Sequence, residues 1–291
     1  MTPDAPHRSF RVVSHKPGIL RVFEPFGGIA DMGLNVDSDT AAWDLWWMSQ
    51  DWAIQVLNAG IALPQLTSPQ PGFIAGLADK WRNREVGTLL KRDIPRFFAK
   101  HPEYTAAHPK VVLSTPGEHS ELMTPEVCLA EDLAENHLPN FEHLPGDTLL
   151  QLDAMLPCVV EVRCWIANGE VTAFAPYRIG MVGWDSNLFQ EMTFNTEGIK
   201  LTEQAVAFAR QMVTEIDGPP GYAVDIGITL TGTPTVLRAW PAWATDPLHA
   251  EPSGVFRALS ASHDFDHRHD RWRWNPDPRI YNRTTNQEST A

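Results

Sequence analysis

The 291-residue sequence holds no stretch of about 18 consecutive apolar residues, and its opening MTPDAPHRSF has no apolar core of signal-peptide length. Neither a membrane span nor a secretory leader is expected, and the chain reads as soluble and cytoplasmic. Positive charge is scarce: 23 Lys and Arg stand against 36 Asp and Glu, a formal charge of -13 at pH 7. Such a surface repels phosphate backbones, so nucleic acid is not an expected partner. Cysteine is scarcer still. Cys128, Cys158 and Cys164 are odd in number and lack metal-ligand spacing, and two of them lie in an apolar, strand-like run, so they read as buried reduced thiols. No internal repeat is evident.

What the chain does have is a hydrophobic content of 43%, enough for a sizeable core, and a length compatible with two domains. Near the N-terminus RVVSH reads as a strand and FEPFGGIADMG as a glycine-containing bend. A helix is expected from about Thr40 to Ala59, capped by Asp37 or Ser38, with Trp43, Trp46, Trp47, Ile54 and Leu57 on its apolar side. A tryptophan-rich helix of this kind is read as a packed helix rather than a binding platform. The proline-rich connection at residues 65 to 75 marks a domain boundary.

Between Phe97 and Leu152, RFFAKHPEY, KVVLSTPG and DTLLQL read as short strands separated by polar loops and an acidic, weakly helical stretch. The strongest signal follows. CVVEVRCWIANGEVTAFAPYRIG is two strands around Asn168-Gly169, a dipeptide suited to the positive φ angles of a type I′ turn. An amphipathic helix over Leu201 to Ile216, a second hairpin turning at Thr231-Gly232 and a short helix from Pro252 to Ser260 complete the pattern. This order of hairpins and helices indicates an α+β fold. Beyond it, HDFDHRHDRWRW crowds His263, His267 and His269 together but leads into a polar stretch, so residues 263–291 read as a disordered polar tail rather than a metal site.

The segments VEVRCWIANGEVTAFAPY and PPGYAVDIGITLTGTPTVLRAWPAW, with the helices after them, resemble the C-terminal half of ATP-grasp proteins, in particular a divergent bacterial and phage clade. The resemblance spans roughly residues 80 to 262. It implies two α+β lobes with antiparallel sheets at residues 76–262, preceded by an N-terminal α/β region at residues 1–75. It also implies ATP as ligand, and joining of a carboxylate to an amine through an acyl-phosphate, with neither substrate identified.

Position by position, Glu161 and Arg163 match a Glu-aromatic-Arg pair, with Val162 in the middle place, and Asp225 matches a metal-binding aspartate. Lys100 in FFAKHP resembles a lysine that reaches nucleotide phosphate from a strand. Asp153 would lie on the linker that grips adenine. In a reaction of this kind Lys100, Arg163 and Arg238 would neutralise phosphate charge.

One stretch departs from the family pattern. Where a Glu-x-Asn pair would complete the magnesium site, the sequence has Arg238, Ala239 and Trp240. With a two-residue turn at Thr231-Gly232, Arg238 falls opposite Asp225, and a cross-strand ion pair between them is expected. A guanidinium there repels Mg²⁺, so the metal site is expected to be lost or weakened. Two functional expectations follow: a nucleotide-binding ligase relative in which Arg238 contacts phosphate itself, or a catalytically inactive relative serving as a binding or interaction module.

Overall fold

A computed structural model describes residues 9–14, 16–31, 45–115, 125–138, 141–142, 144–180, 182–183, 189, 192 and 195–277. The chain begins with β1 (Phe10–Val13), α1 (Pro17–Phe23), β2 (Gly28–Asp31), β3 (Leu45–Trp47) and α2 (Gln50–Asn58). Strand β1 pairs in parallel with both β2 and β3, the arrangement of an α/β unit. The helix expected from Thr40 starts ten residues later. Trp46 and Trp47 lie in β3, and Ser49 caps α2 by accepting the Trp52 N–H at 3.2 Å. Pairing with β1 and the serine cap override the apolar spacing that suggested one long helix. Thr40, Trp43 and the expected caps Asp37 and Ser38 lie outside the described residues.

The next lobe contains α3 (Asp79–Arg82), β4 (Val86–Leu90), α4 (Ile94–Lys100), α5 (Pro102–Ala107), β5 (Lys110–Ser114), β6 (Glu126–Leu129), α6 (Ala130–Ala134) and β7 (Leu149–Ala154). Its four strands form an antiparallel sheet in the order β4-β7-β5-β6. The segment RFFAKHPEY, expected as a strand, is helical. Prolines stand in the first turns of α4 and α5, where a missing N–H costs nothing, and Ile94 and Phe98, one turn apart, bury against Leu150 and Leu152.

The last lobe is built on β8 (Cys158–Ala167), β9 (Glu170–Ile179), β10 (Val182–Gly183), α7 (Thr196–Glu215), β11 (Gly221–Thr229), β12 (Pro234–Pro241) and α8 (Pro252–Ala261). Its antiparallel sheet runs β10-β9-β8-β11-β12. Asn168 and Gly169 turn the first hairpin with φ of 51° and 79°. Helix α7 covers one face through Ala205, Ala209 and Met212, packed on Val160, Val162 and Cys164. Helix α8 covers part of the other so closely that a Cβ on Gly221 would come within 2.1 Å of the Ala258 carbonyl oxygen. Among the described residues no helix is long and apolar enough to cross a membrane.

Residues 263–277, read in the sequence as the start of a disordered tail, are packed. The Trp274 N–H donates to Leu66 O at 2.7 Å and Ser68 N–H to Trp272 O at 2.8 Å. Asp264 accepts the backbone N–H groups of Arg268 (3.0 Å) and His269 (2.6 Å). Trp274 meets Trp243 edge-on, and Trp272 meets Phe73. Two tryptophans and a carboxylate that absorbs backbone donors offset the ordering entropy that the polar composition suggested could not be met. Residues 278–291 lie outside the described residues.

Candidate functional site

Alternation along β8 sends Val160, Val162 and Cys164 toward α7 and leaves Glu161, Arg163 and Trp165 on the opposite face. Register carries that face across the sheet: Asp225 lies beside Arg163 on one side and Arg238 on the other. The expected Asp225–Arg238 alignment is therefore present, though by another route. Residues 230–233 form the connection instead of a two-residue loop, and a bulge at Asp225/Ile226 adds Leu237 to β12, restoring the register one residue later.

The ion pair expected between them does not form. Asp225, 1% exposed, accepts a two-pronged contact from Arg163, Nε to Oδ1 at 2.8 Å and Nη2 to Oδ2 at 3.1 Å. The Trp240 indole N–H donates to Oδ2 as well, at 2.7 Å. The Arg163 guanidinium lies over the rings of Tyr177 and Trp240, 5.4 and 5.8 Å from their centroids. Burial works against its charge, but the Asp225 carboxylate outweighs that penalty and raises its pKa. The planar fork of Arg163 matches both carboxylate oxygens at once.

Glu161 is likewise committed. Its Oε2 accepts the Tyr177 hydroxyl at 2.7 Å and its Oε1 pairs with Arg178 Nη1 at 2.9 Å. Burial, then the charges of Asp225 and Glu161, push the Tyr177 phenol well above its ordinary pKa, so it stays a donor. Tyr177 and Arg178 were not singled out from the sequence, although the β8–β9 hairpin register, which sets Arg178 opposite Glu161, could have indicated them.

Asp153 faces this sheet from β7. It is buried and bonded to Arg84 Nη2 at 3.1 Å and Gln151 Nε2 at 2.9 Å. Arg84 in turn donates to the Leu237 carbonyl at 2.9 Å and to the Val236 carbonyl, fastening β12 to β7 across the lobe boundary. Burial raises the Asp153 pKa and lowers that of Arg84, each opposed by its partner's charge. Asp153 thus holds the lobes together through Arg84, a residue with no distinguishing signal in the sequence.

Lys100 does not join the group. It ends α4, exposed, and α4 packs on the Leu150 and Leu152 face of the sheet, whereas Asp153 and Gln151 occupy the other face by strand alternation. The reading of Lys100 as a strand lysine failed because its segment is helical.

Arg238 is half-buried, and among the described residues it has no hydrogen-bond or ion-pair partner. It lines a narrow cleft between the lobes with Ser114, Thr115, Gln151, Gln70 and Trp240, and the Thr115 hydroxyl there is buried without a partner among the described residues. An unpaired guanidinium beside an unsatisfied hydroxyl suits phosphate oxygens. A magnesium ion is less well served. It requires several oxygen ligands in near-octahedral geometry, yet both Asp225 oxygens are taken by N–H donors and a guanidinium stands across the ladder. Among the described residues no three His, Cys, Asp or Glu side chains group to hold a metal. The residues of this face do not fit a magnesium ion.

Residues 65–259 match the model of the ATP-grasp domain, R2-K clade family 3. No curated protein matches the sequence. Among solved structures, a D-cycloserine synthetase, DcsG, aligns over 87% of this chain and 97% of its own with a TM-score of 0.50 and 14% identity. A RimK domain ATP-grasp protein from Sphaerobacter thermophilus aligns over 88% and 98% at a TM-score of 0.48 and 14% identity. D-alanyl-alanine synthetase A from Vibrio cholerae aligns over 88% and 98% at 0.45 and 10%. At 14% identity, the likeness to DcsG is one of fold. The chain belongs to the ATP-grasp superfamily, in the R2-K clade.

Proposed function

We propose that this ATP-grasp protein binds the phosphate groups of a nucleotide in the cleft between its lobes through Arg238, without a magnesium bridge to Asp225. One observation carries this reading: the Asp225 carboxylate is satisfied by Arg163 and Trp240, while Arg238 beside it has no partner among the described residues. The charge that a metal would bring to phosphate oxygens comes here from a guanidinium. Asp225, Glu161 and Asp153 position cationic and aromatic groups instead of touching ligand. In this reading the protein is a nucleotide-binding module that retains the fold and lacks the magnesium-dependent step.

A second reading, ligation of a carboxylate to an amine through an acyl-phosphate, is favoured by the presence of Arg178, Arg163 and Arg238 on strands β9, β8 and β12 of one sheet. Clustered positive charge of this kind stabilises phosphoryl transfer. Calorimetric titration with ATP and with AMP-PNP, each with and without magnesium, separates the two. Binding that is unchanged by magnesium, with no ADP released on incubation with ATP, supports the first. Binding that requires magnesium overturns it and favours the ligase.

A further inference from the structure

The sheet that holds Asp153 has a second concave surface on its other face. A groove of about 610 Å³ opens there between the edge strand β4 and the helices α4 and α5. Its floor is Gly87 and Leu89 of β4 and Leu152 of β7. Glycine weakens a strand interior, and Gly87 has neither a positive φ nor any atom within 4 Å of where its Cβ would be. The missing side chain is required by neither backbone nor packing, and its effect is to keep the floor open, as where a ligand approaches a strand.

The wall is a row of rings along α4 and α5. Phe97 stands 4.8 Å from His101 and 5.3 Å from Tyr104, and Tyr104 stands 4.7 Å from His108, centroid to centroid. Two carboxylates hold the rim, Glu85 and Glu103, with side chains 68% and 72% exposed; Glu85 lies 3.7 Å from His108 Nε2, and Glu103 is bonded to His101 Nδ1 at 3.0 Å. Arg82 also borders the groove, but its guanidinium is engaged by Asp79 Oδ1 at 2.6 Å and by the carbonyls of Ala75 and Val86. The charge left facing the groove is negative. Burial first, then the charges of Glu85 and Asp153, raise the Tyr104 phenol to about 12.

We propose that this groove binds an organic ammonium cation, with the apolar body on the Gly87 floor and the charged head against the ring wall and the two rim carboxylates. Ring faces attract cations, more strongly when the site is partly desolvated. The apolar floor and few polar groups follow the usual build of a small-molecule site. An anion of the same shape is rejected by Glu85 and Glu103.

The test is titration of the full chain with benzyltrimethylammonium and, separately, phenylacetate, which carries the same ring with opposite charge. The cation is expected to bind at least about tenfold more tightly than the anion. Gly87→Leu, which fills the floor, is expected to weaken the cation by about tenfold or more. Glu85→Gln combined with Glu103→Gln changes only exposed side chains and keeps the test valid if Gly87→Leu does not fold; it should weaken the cation by roughly threefold to tenfold. Absence of saturable cation binding, equal affinity for phenylacetate, or an unchanged affinity in the carboxylate variant overturns the proposal.

Discussion

Asp225 lies directly opposite Arg238 in the β11–β12 ladder, yet its carboxylate is bonded to Arg163 on the other neighbouring strand. A buried carboxylate can be satisfied from either side, and the two-pronged contact from Arg163, reinforced by the Trp240 indole, takes both oxygens. Arg238 is left as the cation facing the cleft.

That division of labour separates binding from stability at the two arginines. Arg238→Ala is expected to cost on the order of 1.5–3 kcal/mol of nucleotide affinity, the range for hydrogen bonds to charged groups, with little change in melting temperature. Calorimetry and thermal denaturation on the same variant check both halves. A large fall in stability with no loss of affinity would show that Arg238 is structural.

Asp225→Asn should behave in the opposite way. It leaves the buried Arg163 guanidinium without its counter-charge, and breaking a buried pair from one side costs roughly 3–5 kcal/mol. Denaturant unfolding of the variant measures this. A loss under about 1 kcal/mol, the range for exposed pairs, would contradict the buried geometry.

The Arg84–Asp153 pair is expected to show strong non-additivity. Arg84→Met alone strands a buried carboxylate and frees two carbonyls of β12, and should destabilise by about 3–5 kcal/mol. Arg84→Met with Asp153→Leu removes both charges and should cost clearly less than the sum of the single changes. A double-mutant cycle by chemical denaturation decides the point.

Ending the chain at Ser262 removes Asp264, Trp272 and Trp274 from their packing against residues 65–73 and Trp243. The melting temperature is expected to fall by about 5 °C or more, since each kcal/mol moves a protein of this size by a few degrees. A melt indistinguishable from the full chain would return residues 263–277 to the status of a loose tail.

Helix α8 adds a pH-dependent element. Glu251 caps it by accepting the N–H groups of Ser253 and Gly254 at 3.0 and 2.8 Å, after a contact from the Ser253 hydroxyl, and these bonds lower its pKa from 4.5. A carboxylate with a depressed folded pKa contributes stability that is present above its unfolded value and lost as pH falls through the folded one. The melting-temperature difference between the wild type and Glu251→Ala should therefore be largest near neutrality and shrink as pH drops below about 4.5. A difference that stays constant down to pH 3 would exclude the charged cap.

Much of the C-terminal lobe was legible in the sequence because its signals are local. Asn168-Gly169 can adopt the two positive φ values of a tight turn, the 3.6-residue spacing of α7 marks one buried face, and residues two apart on β8 must share a side. These features placed Glu161, Arg163, Asp225 and Arg238 on one sheet, and the order of segments carried the family resemblance. Packing decided the rest. Whether Trp46 and Trp47 belong to helix or strand depends on β1 being available to pair, and whether Lys100 reaches the cleft depends on a helix that local pattern read as a strand. The partner of Asp225, the burial of Arg84 and the docking of Trp272 and Trp274 are contacts between residues 15 to about 200 positions apart. Periodicity cannot encode such contacts. They are set by which faces meet when the lobes close and by which buried charges must then find a partner.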